Sequence, residues 1–330
     1  MKKLSLLLIF ILLLAGCNSQ DFPNRSVQLI VPYSPGGTTD LVARAFAESF
    51  SKELGVDVTI INQPGASGSV GTLAVHDAKP DGYTLLVSAD SLGIQRVMGL
   101  STLSFGDFEP ILLLTNDPKV IVVGQDSPYS TAGELFNAMR EKGLSMSYTG
   151  PGGSGHVQAL LYESLGAKLT LTPFPGGLDA IVALLGNQVD FTNSNASVVR
   201  EYLESGDLKA LAVCGSKPLQ IDASVPLLED EVEGAKELMD MPFTPLSLLA
   251  SKDVPEDVLK TLREAAKRAV ESDEWKNYIA SSGQETLYTE YSTVEEMKAF
   301  FSTFESRMSW LLYEAGVTES SPEEFSIPRP

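Results

Sequence analysis

The chain reads as an α/β protein of two lobes with a ligand cleft between them, and three observations predict this. Short apolar runs alternate with amphipathic stretches, the pattern of strands buried in a parallel sheet that helices cover on both faces. The alternation comes in two blocks, separated near residues 115–120 and rejoined near 215–245. Four glycine-bearing loops, two in each block, each follow a strand run and precede a helical run.

In chain order, residues 27–32 are apolar and strand-like, 39–54 form an amphipathic helix, and 56–61 are β-branched. Residues 69–78 read as a helix closed by Lys79-Pro80-Asp81-Gly82, and 83–88 as a third strand. The second block opens with a strand at 120–123, a helix at 132–142 and a short strand at 146–148. It continues with a helix at 156–165, a strand at 169–174, a helix at 178–185, a strand at 189–191, a helix at 197–204 and a strand at 209–213. Residues 215–237 are turn-rich and acidic, and 246–250 give one more strand. The remainder is helical at 255–271, 273–281 and 294–316, before a polar tail at 320–330 that is expected to be extended.

The amino terminus stands apart from this fold. Lys2 and Lys3 precede an apolar run from Leu4 to Leu14, which ends in Leu14-Ala15-Gly16-Cys17. The run is short for a membrane span, and a cysteine directly after Leu-Ala-Gly reads as a bacterial lipobox. Residues 1–16 are then a lipoprotein signal peptide, Cys17 is lipidated and holds the protein to the bilayer, and 17–24 form a tether. One lobe is expected from 25–118 plus 220–330, the other from 119–219.

Composition narrows the function. Removing Lys2 and Lys3 takes the formal charge from −19 to −21, which argues against nucleic acid or anionic lipid as a partner. With Cys17 lipidated, only Cys214 remains; it lies in an apolar run and is expected to be a buried thiol rather than a nucleophile. His76 and His156 are the only histidines, too few and too far apart for a zinc site. No metal or cofactor is expected. Trp275 and Trp310 fall in helical patterns and are expected to pack inside.

The loops carry the chemistry. Ser34-Pro35-Gly36-Gly37-Thr38-Thr39, Gln63-Pro64-Gly65-Ala66-Ser67-Gly68-Ser69, Gly150-Pro151-Gly152-Gly153-Ser154-Gly155 and Pro173-Phe174-Pro175-Gly176-Gly177 contain no Lys or Arg. Their glycines permit close approach of backbone to ligand. Helix starts offer unsatisfied N–H groups and the positive end of the dipole, so an anion can be held there without a cationic side chain. Asp40 is expected to cap the first helix. An exported hydrolase using Ser67 or Ser154 is the rival reading, but neither serine lies in a Gly-x-Ser-x-Gly elbow with a histidine placed across the site.

From Arg25 to Gly316 the chain resembles the substrate-binding receptors of tripartite tricarboxylate transporters, the Bug family. The resemblance rests on Ile30-Val31-Pro32-Tyr33-Ser34-Pro35-Gly36-Gly37-Thr38-Thr39-Asp40, Asn62-Gln63-Pro64-Gly65-Ala66 and Pro80-Asp81-Gly82-Tyr83-Thr84-Leu85. It continues in Gly153-Ser154-Gly155-His156, Pro173-Phe174-Pro175-Gly176-Gly177 and Leu185-Gly186-Asn187-Gln188-Val189-Asp190. It implies a type II periplasmic-binding-protein-like fold and a monomeric receptor, not an enzyme. Such a receptor passes a small organic anion, a di- or tricarboxylate first of all, to membrane permease subunits. A sensing receptor that feeds a signalling partner fits the same residues.

Carried onto this chain, Pro35, Gly36, Gly37, Thr38 and Thr39 hold one end of the ligand, with Gly65, Ala66 and Ser67 nearby. Ser154, Gly155 and His156 hold the other end. Ser88, Ala89 and Asp90 line the cleft after the third strand, and Phe174, Asp190 and Thr192 face it from the second lobe. Phe174-Pro175 stands where family members often have a tyrosine and a basic residue. Asp90 and the amide-rich stretch to Asn195 are further departures, and Asp90 makes an amine-bearing ligand plausible.

Overall fold

The computed structural model describes residues 22–236 and 244–330. The leader and Cys17 lie outside the described residues, as does Glu237 at the end of the acidic interlude.

The first block holds β1 (Val27–Val31), α1 (Thr38–Leu54), β2 (Val58–Asn62), α2 (Ser69–His76), β3 (Thr84–Ser88) and β4 (Phe108–Asn116). The second opens with β5 (Lys119–Gly124), α3 (Ala132–Lys142), β6 (Leu144–Tyr148), α4 (Ser154–Ser164) and β7 (Leu169–Pro173). It closes with α5 (Gly177–Leu185), β8 (Phe191–Asn195), α6 (Ala196–Ser205) and β9 (Leu208–Cys214). The chain returns through β10 (Pro245–Ser251), α7 (Glu256–Ala269), α8 (Asp273–Ser282), β11 (Glu285–Thr286) and α9 (Val294–Glu314).

Two sheets result, one ordered β11-β4-β10-β3-β1-β2 and the other β7-β6-β8-β5-β9. Within each block the strands joined by helices are parallel: β1 with β2 and β3, β6 with β7 and β8. The expectation of purely parallel sheets is corrected by the short β11, antiparallel to β4, and by the two strands that follow a crossing between blocks. β10 is antiparallel to β3 and β4, and β5 is antiparallel to β8 and β9. The geometry explains the reversal. A strand inside a block runs toward the cleft, whereas a strand that has just crossed starts at the cleft and runs away from it.

Further elements differ from the sequence reading. β4 was assigned no element; Pro110 interrupts its apolar run, and proline is rare in a central strand. A register shift in β10 between Leu248 and Leu249 lies opposite Pro110 and accommodates it. The strand expected at 189–191 lies instead at Phe191–Asn195, with all five residues buried although four are polar. The tail is not simply extended: Ser321 and Glu324 cap a short 3-10 turn at Pro322–Phe325, Ile327 is buried, and Trp310 Nε1 donates to Pro328 O at 2.9 Å.

The core sits beneath the sheets. α1 buries Val42, Ala43, Phe46 and Phe50, and Phe46 meets the fully buried Trp275 edge-on at 5.6 Å. A buried aromatic or aliphatic side chain of this kind stabilises by about 1.5–3 kcal/mol. Gly55 ends α1 in the left-handed conformation (φ 70°), which a residue without Cβ adopts freely. Cys214 is buried as expected, with its thiol pushed up to about 12 by burial and its Sγ 3.0 Å from the Tyr162 hydroxyl.

A candidate ligand site between the lobes

Because most strands run toward the cleft, the loops after them gather there. A cavity of about 50 Å³ lies at this meeting point. The first block contributes Tyr33, Gly37, Thr38 and Thr39 from the β1–α1 loop, and Ala89 and Asp90 after β3. The second contributes Thr149 and Ser154, Gly176 and Gly177, and Asn195 at the end of β8. Lys119 and Thr244 complete the wall; each lies at the start of a strand that has just crossed.

Four helix starts point here. The N-cap residues are Gly37 for α1, Gly153 for α4, Gly176 for α5 and Asn195 for α6, and none gives its helix a side-chain cap. The first-turn N–H groups are therefore left for other acceptors, and the dipoles favour negative charge at the same place. A Cβ on Gly37 would stand 3.9 Å from Gly177 N, so α1 and α5 begin almost against each other across the cleft.

Three buried ionisable side chains lie where the lobes meet. Asp117, in the first crossing, accepts hydrogen bonds from the hydroxyls of Thr38 and Ser197, from Ser197 N at 3.3 Å and from Gln284 Nε2 at 3.3 Å. Burial still outweighs these donors and pushes its carboxyl up to about 6. Lys119 Nζ donates to Asn195 Oδ1 at 2.8 Å, and Asn195 Nδ2 donates to Asp117 O and Thr244 Oγ1, both at 3.0 Å. Burial lowers the Lys119 pKa, while Asp90 and Asp117 act to raise it. Asp90 Oδ2 accepts the Ser154 N–H at 2.5 Å. Burial pushes its carboxyl up, opposed by Lys119 and by the Ser154 bond.

The expected site residues divide. Gly37, Thr38, Thr39, Ala89, Asp90 and Ser154 line the cavity. Pro35, Gly36, Gly65, Ala66 and Ser67 stand outside its lining, at the rim. A Cβ on Gly36 would meet Leu178, and Ser67 Oγ donates to Pro151 O at 2.9 Å, so these loops close the cleft edge. Ser88 is buried behind the wall and donates to Ala89 O. Gly155 packs against Tyr148.

His156 Nδ1 accepts the Gly152 N–H at 3.0 Å and so fixes its loop rather than lining the cavity. Burial lowers its pKa. Phe174 N–H donates to Tyr148 O, extending the β6–β7 pairing outside the lining. Asp190 is a clear correction: it is exposed, bonded to Ser145 N and Oγ, at the amino end of β8 and so at the far end from the cleft. Thr192 is mid-strand and its hydroxyl donates to Ser147 O. Both were placed by a strand ending too early; the residue at the true carboxyl end is Asn195.

Sequence reasoning left Tyr33, Lys119, Thr149, Gly176, Gly177 and Thr244 out of the site, and reached Asn195 only through the amide-rich stretch. It also expected a site without cationic side chains. The loops are indeed free of Lys and Arg, but Lys119 enters from the start of β5. Asp40 does not cap through its side chain. It accepts Gly36 N–H at 2.9 Å and two bonds from Arg44, and these with Asn62 hold its carboxyl below the usual range against the opposing effect of burial.

A model of the tripartite tricarboxylate transporter family receptor matches residues 42–303. The chain belongs to that receptor family. Among its relatives, BugT of Bordetella pertussis is 26% identical over 309 residues, spanning 92% of this chain and 93% of BugT. A protein from the TAR-I ttuE-ttuC' intergenic region of Agrobacterium vitis is 29% identical over 306 residues, spanning 90% and 87%. Among solved receptors, the periplasmic binding protein BugD is similar at TM-score 0.83 and 28% identity, over 90% of this chain and 99% of BugD. MatC from Rhodopseudomonas palustris, solved with bound malate, is similar at TM-score 0.80 and 26% identity, over 88% and 100%. These receptors share the two-lobed periplasmic-binding-protein fold with an interlobe cleft, as the sequence predicts.

Proposed function

We propose that this receptor captures a small carboxylated metabolite outside the cytoplasm and presents it to the permease subunits of a tripartite tricarboxylate transporter. The observation that carries the reading is the convergence of the uncapped α1 and α5 starts on a cavity whose wall also includes Lys119. N–H groups, dipoles and one ammonium together favour a carboxylate over a neutral solute. The malate found in MatC supports the same class. The geometry provides for one ligand carboxylate; a di- or tricarboxylate places its further charges near Asp90.

In this reading residues 25–118 with 220–330 close on 119–219, and closure shifts the population toward the form that the permease recognises. The receptor acts as a monomer, held to the membrane by lipid on Cys17. Binding, not catalysis, suits the serines: Ser154 Oγ accepts from Thr244 Oγ1 at 3.4 Å, and His156 Nδ1 is engaged by the loop backbone.

The test is thermal unfolding of the soluble Cys17→Ser protein against a panel of organic acids, including malate and citrate, and amino acids. A ligand at a hundred times its dissociation constant adds about 2.7 kcal/mol of stability. A panel in which no carboxylate raises the midpoint sinks the reading. Separately, the Cys17→Ser protein should leave the membrane fraction; persistent attachment argues against the lipid anchor.

A further inference from the structure

The charges enclosed with the cavity constrain the ligand beyond its carboxylate. Asp90, Asp117 and Lys119 are 6%, 0% and 3% exposed. With all three groups ionised, two carboxylates against one ammonium leave a net negative charge between the lobes. Among the described residues, Lys119 is the only cationic side chain in the cavity wall. A dicarboxylate would add two negative charges to a site already negative, among buried side chains where unpaired charge is costly. A ligand that also carries a positive charge does not meet this barrier.

The two acids differ in their relation to the cavity. Asp117 lies behind the wall, and its oxygens are engaged by Thr38, Ser197 and Gln284. Asp90 is part of the wall. Its Oδ2 takes the Ser154 N–H, so the start of α4 is occupied by the protein's own carboxylate. The resemblance to the family would seat one end of the ligand there. α1 and α5 remain for one ligand carboxylate, and the ligand portion nearest α4 meets a negative group instead of a row of donors.

We infer that the ligand is an amino carboxylate, with its carboxylate at the starts of α1 and α5 and its ammonium facing Asp90, so that Asp90 selects the amine. The inference rests on the receptor reading and narrows its substrate class. No covalent chemistry is involved; the ammonium replaces the positive charge that Asp90 otherwise lacks beyond Lys119.

Matched pairs of probes test it: succinate with aspartate, propionate with alanine, and butyrate with 4-aminobutyrate, titrated calorimetrically into the Cys17→Ser protein at pH 7.5. In at least one pair the amino member should bind ten times more tightly than its partner, or better. In Asp90→Asn, which keeps an oxygen to accept the Ser154 N–H, that preference should shrink at least tenfold or reverse. Should that variant not fold, Asp90→Ser serves in its place.

Plain acids that match or exceed their amino partners in the wild-type protein overturn the inference and leave the receptor reading intact. Plain acids that bind better at pH 5 than at pH 7.5 overturn it in a particular way, by showing that Asp90 accommodates them as a protonated acid. An unchanged amino preference in the Asp90 variant also overturns it. Silence from every probe, and from malate and citrate, removes the receptor reading itself.

Discussion

Asp90 and Ser154 meet across the cleft: the carboxylate Oδ2 after β3 accepts the backbone N–H of the first residue of α4 at 2.5 Å. A charge-assisted bond of this kind is stronger than a neutral one, and it joins a loop of one sheet to a helix of the other. It therefore favours closure before any ligand arrives. Asp90→Ala should give a ligand-free protein with a larger radius of gyration in small-angle scattering. An unchanged radius would mean that the Ser67–Pro151 and Ser197–Asp117 contacts suffice to hold the lobes.

Lys119 balances the two acids. Lys119→Met preserves much of the volume but leaves Asp90 and Asp117 without their cation. Removing one partner from a buried charged group costs about 3–5 kcal/mol. Urea unfolding at pH 7.5 should show a loss of that order. At pH 5 the loss should be smaller, because Asp117 with its pKa near 6 is then largely protonated and there is less negative charge to balance. Equal losses at both pH values would assign the effect to packing.

The part of the site that was legible in the sequence is the part that follows helical logic. Gly37, Thr38, Thr39 and Ser154 announce themselves as glycine- and hydroxyl-bearing residues at a strand–helix junction, and the structure puts them in the cavity wall. Lys119 and Thr244 carry no such signal. They matter because β5 and β10 run against their neighbours, which brings their amino ends to the cleft. Local pattern does not encode strand direction; the path of the whole chain sets it. Asp190 was misplaced for a related reason. Thr192-Asn193-Ser194-Asn195 is polar enough to read as a loop, yet it forms a buried strand in which the Thr192 hydroxyl, Asn193 Nδ2 and Asn195 Oδ1 find partners in Ser147, Tyr162 and Lys119.

Gly37 is held by proximity rather than by backbone strain, since its φ of −80° suits any residue. Gly37→Val should therefore fold. Its side chain would project between the starts of α1 and α5, where Gly177 N lies 3.9 Å from the added Cβ. Overfilling a packed space costs about 1–3 kcal/mol, here set against the bound, closed form. Affinity for a carboxylate that binds the wild-type protein should fall about tenfold to a hundredfold, with an unchanged circular dichroism spectrum. Retained affinity would place the ligand elsewhere.

Asp117 gives the chain a pH dependence whose sign is opposite to that of a salt-bridged surface acid. Burial, opposed by the Ser197 and Thr38 hydrogen bonds and by Lys119, lifts its folded pKa to about 6 from an ordinary 3.8. Between those values the folded protein holds a proton that the unfolded chain has released. The group's contribution to stability therefore falls as pH rises from about 4 to 6, and the penalty is fully present above 6. A shift of this size corresponds to on the order of 3 kcal/mol. Other acids titrate over the same range, so the informative quantity is the difference between the wild-type protein and Asp117→Asn, measured by urea unfolding at pH 4, 5, 6 and 7. Relative to the variant, the wild-type protein should be most stable at pH 4 and lose ground steadily to pH 7. A difference that stays flat across the series would show that Asp117 titrates like an exposed acid, as it would if the lobes stood open in solution.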